Sequence, residues 1–359
     1  MRALLLTGPE TIVTDDQVPD PTLIDDRDAL IRVERAGLCG SDLHPYFGRE
    51  PVRFGTIPGH ECVGTILDAG DALEGLSPGQ RVIVPFSTSC GSCASCRKRL
   101  SARCDSGDLF GWRPAEETTP KLEDAGLEDA GLEGAQAEIL RVPHAPGTLV
   151  PIPDSIDADT ALLLTDNFCT GWEGATIAGA AKDRMIAVVG CGAVGLSAVV
   201  AARHLGATVL AIDPVDDRRE AAASLGAQAI KPDEVGAWLQ AHPAVDGVVE
   251  AVGSSAAQRV AWEIAGVGAT IAAMGVHNQS DFAFTPTELY DRNLTYRAGR
   301  ASVRTTLETV LPQILSGDLE IPTETIVSET GVPLAAGADA YRRFADRRGG
   351  VRKIIFTPE

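Results

Sequence analysis

Four cysteines, Cys90, Cys93, Cys96 and Cys104, stand in the pattern Cys-x2-Cys-x2-Cys-x7-Cys. Four thiolates converging from one loop can close a tetrahedral zinc site with no open position, which is a structural site. Four unrelated thiols or a redox pair is the competing reading, and the regular spacing favours metal. A second dense group is Cys39-Gly40-Ser41-Asp42-Leu43-His44 together with Gly59-His60-Glu61. A catalytic zinc takes about three protein ligands and keeps one place open, and a soft thiolate with an imidazole suits it. Taken singly, each residue has an ordinary role: Cys39 as a buried thiol, His60 as a hydrogen-bonded core residue, Ser41 as a turn former.

A third group binds rather than reacts. Gly190-Cys191-Gly192-Ala193-Val194-Gly195 follows the apolar run Ile186-Ala187-Val188-Val189. A pyrophosphate needs backbone without side chains and free N–H groups at a helix start, and Gly190, Gly192, Val194 and Gly195 sit where such a loop supplies them. The next apolar run, Thr208 to Ile212, ends at Asp213. A carboxylate there accepts from the adenosine ribose hydroxyls and repels a 2′-phosphate, favouring NAD over NADP. Arg218 and Arg219 leave NADP open, since either could reach such a phosphate.

These groups need elements to hold them. The chain has 359 residues, 44% of them apolar, enough for more than one core. Its net charge of −19 and its five lysines beside 26 arginines, with no basic cluster, argue against nucleic acid and anionic membrane surfaces as partners. The opening Met1-Arg2-Ala3-Leu4-Leu5-Leu6 reads as a first strand and not a signal. The uncharged run Met185 to Ala202 is cut by Gly190, Gly192 and Gly195 into a strand and a helix, so it is not a membrane span. A cytoplasmic location follows as the expectation, in which eight cysteines point to metal or catalysis before disulfides.

Residues 1 to about 110 alternate in short runs, such as Ala29 to Val33, Gly64 to Asp68 and Arg81 to Phe86, and predict a β-rich domain. The segment 115 to 133 repeats Leu-Glu-Asp-Ala-Gly and carries seven acids and one lysine, six units of the net charge; it reads as a solvated surface excursion. From about Asp157 strands and helices alternate, with strands at Met185, Thr208, Gly247 and Thr270, implying a doubly wound parallel sheet. Helices are predicted at Arg218 to Leu225, Arg304 to Leu315 and Ala335 to Arg347, and a last strand at Lys353 to Phe356.

Read together, these motifs resemble the medium-chain zinc-dependent alcohol dehydrogenase family over essentially the whole chain. Thr165-Asp166-Asn167-Phe168-Cys169-Thr170-Gly171-Trp172 adds to the likeness. Asp166, the spacing of His44, and Gly134-Ala135-Gln136-Ala137-Glu138 with Arg141-Val142-Pro143 are most similar to the glutathione-independent formaldehyde dehydrogenase branch. The resemblance implies an α/β protein: a GroES-like (chaperonin-10-like) catalytic domain over 1–154 and 296–359, and a Rossmann cofactor domain over 155–295. It implies two zinc ions per chain, one held by Cys39, His60 and Asp166, the other by Cys90, Cys93, Cys96 and Cys104. Cys169 is a rival ligand to Asp166; Cys62 and Cys191 read as packing residues.

Under the same resemblance Asp42 fixes the tautomer of His60, and Glu61 lies near the metal. Ser41 and His44 relay the substrate proton to solvent, and Thr170, Val252 and Gly275 line the cofactor crevice. Gly40 stands where some relatives carry a basic residue, so Lys353 or Arg300 is expected to serve the pyrophosphate. The expected function is hydride transfer between a small alcohol or aldehyde hydrate and NAD, by a homodimer or homotetramer. An aldehyde dismutase holding NAD tightly and a non-catalytic member of the fold are the alternatives; the second predicts loss of Cys39, His60 or Ser41, and all three are present. Phe86, Phe110, Trp112 and Trp172 are candidate pocket walls, though each is as readily core.

Overall fold

The computed structural model describes residues 1–73, 75–115, 132–278, 281–346 and 350–358. The repeat-bearing acidic stretch, residues 116–131, lies outside them, as does Arg347 at the end of a predicted helix. Contacts divide the chain into two units: residues 1–166, 302–307 and 327–359, and residues 167–301 and 308–326. The expected boundaries at 154/155 and 295/296 differ from this division. Residues 155–166 go with the first unit because Asp159 pairs with Arg35 at 3.0 Å and accepts from Thr330 Oγ1, while Thr165 O accepts from Phe86 N.

In the first unit, β1 (Ala3–Gly8) and β2 (Thr11–Asp15) form a hairpin. The strands β3 (Ala29–Leu38), β4 (Cys62–Ala69), β5 (Arg81–Val84), β6 (Ile139–Val142) and β7 (Val150–Pro151) form most of the main sheet. β3 lies antiparallel to β4, with Ala36 opposite Cys62, and β6 pairs with β3. This register sets the ends of β3 and β4 side by side, which brings Cys39 toward His60 and Glu61. Gly64 makes the pairing possible, since a Cβ there would meet the Arg32 carbonyl.

The second unit is a parallel sheet of β8 (Met185–Val189), β9 (Thr208–Ile212), β10 (Gln228–Ile230), β11 (Val245–Glu250), β12 (Ala265–Ala273) and β13 (Thr295–Ala298). Their order is β10-β9-β8-β11-β12-β13, so the winding reverses between β8 and β11. The inner strands are near-continuous apolar runs because helices cover both faces. β13 completes this sheet by pairing with β12, which is why residues 296–301 belong here. The chain then returns to the first unit, where β14 (Glu329–Pro333) and β15 (Ile354–Thr357) finish the main sheet, β15 pairing with β3.

Each unit has its own apolar core, one around Leu4, Ile31, Leu38, Leu140 and Phe356, the other around Ala187, Leu210, Val248, Trp238 and Ile271. Met185 to Ala202 is the strand β8 followed by the helix Ala193–His204. Among the described residues no helix is long and apolar enough to cross a membrane.

Candidate active site

Cys39 leaves β3 as the N-terminal residue before a short turn, Gly40–Asp42, that runs into the helix Leu43–Tyr46. Asp42 folds back across this turn. Its Oδ2 accepts from Cys39 N at 2.8 Å, and its Oδ1 lies 3.0 Å from His60 Nδ1. One buried carboxylate therefore fixes the backbone at Cys39 and orients the His60 imidazole, and with Nδ1–H facing Asp42 the Nε2 lone pair is left facing inward.

The inward side is a donor cluster. Ligand atoms of Cys39, His60, Glu61 and Asp166 all lie within 4.8 Å of one another. Asp166 Oδ2 is 3.5 Å from His60 Nε2 and 3.6 Å from Cys39 Sγ. Asp166 follows the helix Ala158–Leu163, whose start is capped by Asp157 accepting from Asp159 N and Thr160 N at 3.0 and 2.9 Å. Burial pushes the Cys39 thiol and the Glu61 carboxyl above their ordinary values, with the charge of Glu61 adding to the effect on Cys39. Burial alone would depress His60, but Asp42, Asp166 and Cys39 outweigh it and raise it. Soft and hard anionic donors pressed together in a dry site want a cation, so the donor set fits a divalent metal such as zinc.

Lys353 belongs to a buried ion pair that the sequence did not signal. Expected at a cofactor pyrophosphate, it is 1% exposed with its ammonium paired to Glu61 Oε2, also fully buried. Gly37 in β3 admits the pair, since a Cβ there would strike the Glu61 carboxylate. Gln136 closes the same wall: its Nε2 donates to Gly37 O at 3.0 Å and its Oε1 accepts from Tyr341 Oη at 2.9 Å. In the sequence Gln136 stands only within a motif, and Tyr341 carries no signal beyond its place in an apolar helix face.

Ser41 Oγ sits 3.4 Å from His60 Nε2, beside the donor cluster, and His44 is half-buried one turn on. Phe86 stands edge-on to His60, with ring centroids 6.3 Å apart. Phe110 belongs to the core of the first unit, whereas Trp172 packs on Phe168 and His204 in the second. Cys169 is fully buried in the helix Asn167–Ile177 and belongs to neither ligand cluster; Thr170 follows it, also buried.

The four-cysteine loop is compact. Cys90, Cys93, Cys96 and Cys104 place their sulfurs within 4.8 Å of one another. The Cys93–Cys104 sulfur separation of 3.9 Å matches the edge of about 3.8 Å that a tetrahedron of zinc–sulfur bonds would have. Backbone N–H groups point at the sulfurs, from Cys93 to Cys90 at 3.3 Å, Cys96 to Cys93 at 3.4 Å and Cys90 to Cys104 at 3.1 Å. Although burial opposes it, those of Ser92 and Cys93 bring Cys90 down to about 5; burial and neighbouring thiols hold Cys96 at about 12. These residues fit a second zinc.

In the second unit, Gly190 takes the left-handed conformation at φ 91° and Gly192 caps the helix Ala193–His204, with Val194 in its first turn. Gly195 packs against the Gly190 carbonyl, where a Cβ has no room. Asp213, 2% exposed, accepts from Cys191 N at 2.7 Å and Val215 N at 2.8 Å, so it stiffens the loop while each oxygen keeps a lone pair. Arg219 donates to the Asp213 carbonyl at 2.7 Å, and Arg218 is half-buried beside it in the chain. Val252 is 40% exposed in the turn after β11, next in space to Gly275.

Residues 25–154 match the alcohol dehydrogenase GroES-like domain family and residues 193–316 the zinc-binding dehydrogenase family. A probable zinc-binding alcohol dehydrogenase of Mycobacterium tuberculosis is 34% identical over 100% of this chain and 89% of its own. A glutathione-independent formaldehyde dehydrogenase of Pseudomonas aeruginosa is 29% identical over 71% of this chain and 66% of its own. Among solved structures, an alcohol dehydrogenase from Thermus sp. ATN1 superposes with a TM-score of 0.89 at 34% identity, covering both chains completely.

Proposed function

Since the chain belongs to the medium-chain zinc-dependent alcohol dehydrogenase family, we propose that it oxidises an alcohol or aldehyde hydrate with NAD, using Cys39, His60 and Asp166 as catalytic zinc ligands. The observation that carries this is the convergence of those three donors with Asp42 bonded behind two of them. Zinc bound by Cys39, His60 and Asp166 would supply Lewis acidity, and a nicotinamide cofactor bound at the glycine loop would supply the hydride-transfer chemistry.

The chain's own residues do the rest. Asp42 holds Cys39 and His60 in ligating orientation, and Lys353 keeps Glu61 charge-balanced beside them. Ser41 Oγ accepts the substrate hydroxyl proton and releases its own toward His44, which passes it to solvent. Phe86 shields the imidazole from water. In the second unit the loop from Gly190 to Gly195 offers backbone N–H groups to the pyrophosphate, and the Asp213 carboxylate favours an unphosphorylated ribose.

The test is a screen of primary alcohols, secondary alcohols, polyols and formaldehyde, followed by NADH absorbance, with NADP in parallel. Cys39→Ala and His60→Ala should each abolish turnover and halve the zinc content, leaving the four-cysteine ion in place. Full turnover in either variant overturns the assignment, and silence toward every substrate overturns the enzymatic reading.

A further inference from the structure

In the second unit a buried carboxylate faces a half-buried imidazole behind the turns at 251–253 and 275–277. Glu250 ends β11, the strand beside the point where the winding reverses, and is fully buried. Its Oε1 accepts from Val252 N at 2.8 Å and Gly253 N at 2.9 Å, the backbone of the turn that follows. Its Oε2 lies 2.9 Å from Nε2 of His277, whose N–H is out of line for a full hydrogen bond. Neither of those two atoms has another partner among the described residues. His277 belongs to the turn after β12, so one carboxylate reaches both turns.

The imidazole is held in a single state. Gln258 Oε1 accepts from Ala283 N at 3.2 Å, which turns the amide so that its Nε2 faces His277 Nδ1 at 2.8 Å and Tyr296 Oη at 3.4 Å. A donor facing Nδ1 makes that atom the acceptor, and the ring proton must then reside on Nε2, toward Glu250.

The turns so joined touch one another. A Cβ on Gly253 would strike the Val276 backbone, one on Gly275 would strike Gly253 N, and one on Gly190 would strike Val252. Ligands of such sheets lie in the crevice outside the carboxyl ends of the strands at the reversal point, with one mononucleotide on each half. Asp213, at the end of β9, assigns the adenosine to the first half. The second half, β11 to β13, therefore takes the nicotinamide end.

The geometry points to Glu250 and His277 as positioning residues for the nicotinamide half of the cofactor: a clasp that sets the spacing of the turns at 251–253 and 275–277. This rests on the reading of the protein as a nicotinamide-dependent enzyme.

The test compares full-length zinc-loaded wild type with His277→Phe, which fills the space without a donor, and His277→Gln, whose amide nitrogen falls near Nε2. NADH affinity is read by fluorescence titration, and exchange of the Val252 and Gly253 amides is followed in protein without cofactor. Leaving the buried Glu250 Oε2 without a facing donor should weaken NADH about tenfold in His277→Phe and speed exchange at both amides, with His277→Gln close to wild type. NADH affinity unchanged in His277→Phe overturns the clasp, as does an equal loss in both variants that tracks lowered melting temperature. Wild type binding neither NADH nor NADPH overturns the cofactor reading itself and the clasp with it.

Discussion

Lys353 and Glu61 show how a cluster of anionic donors survives burial. With both groups almost fully inaccessible, neither can be solvated, and each is the other's compensation. Replacing Lys353 by Met keeps the volume and removes the charge, leaving a carboxylate beside Cys39 and Asp166. We expect Lys353→Met to lose about 3–5 kcal/mol of stability in urea denaturation, as broken buried pairs do, and Glu61→Gln in the same chain to restore a large part. Additive losses would mean the two groups do not act as a pair. The clash that a Cβ at Gly37 would cause belongs to the same arrangement, since the space it lacks is filled by the ion pair.

At the scale of elements, the four-cysteine loop shows what was legible and what was not. Its four cysteines fall within 15 residues, so their spacing suggests a metal loop, whereas the roles of 39–44 come only through the family resemblance and the glycine loop needs Asp213 at the end of the next strand beside it. The anchors of the loop come from far along the chain: Thr148 Oγ1 accepts from Ser89 N at 2.9 Å, and Gly147 presses so closely on Ser89 and Cys90 that no Cβ fits. Lys353 pairs across 292 residues and Gln136 bonds across 99, distances at which residue type says nothing about neighbourhood. The Rossmann half was legible for the opposite reason: each strand and its following helix are sequential, so apolar periodicity marks both. Cys104→Ser tests whether the loop is a separate metal element. It should lose one of two zinc ions by metal analysis and speed proteolysis between residues 87 and 108, with the Cys39 cluster still loaded. Loss of both ions would show the two sites to be one cooperative unit.

The whole chain carries 50 acids against 31 basic groups, an excess that pairing cannot remove. Arginines already meet acids at Arg35–Asp159, Arg81–Glu34, Arg141–Asp28 and Arg343–Glu329, yet even complete pairing would leave 19 carboxylates without a counter-charge. Exposed pairs contribute only about 0–1 kcal/mol each, and salt weakens them along with the repulsion. The repulsive sum has the longer reach, because like charges without partners act over many separations at once. Raising sodium chloride from 0.1 M to 1 M shortens the screening length from about 10 Å to about 3 Å, which removes most of that repulsion while leaving the buried pair at Lys353 nearly untouched. Each kcal/mol so recovered moves the melting temperature of a domain of this size by about 2–4 °C, so melting should rise by several degrees over that range. An equal osmolality of an uncharged solute separates screening from surface exclusion. If the solute matches the salt, or if melting falls, the excess charge is not what limits stability, and local pairs outweigh the net field.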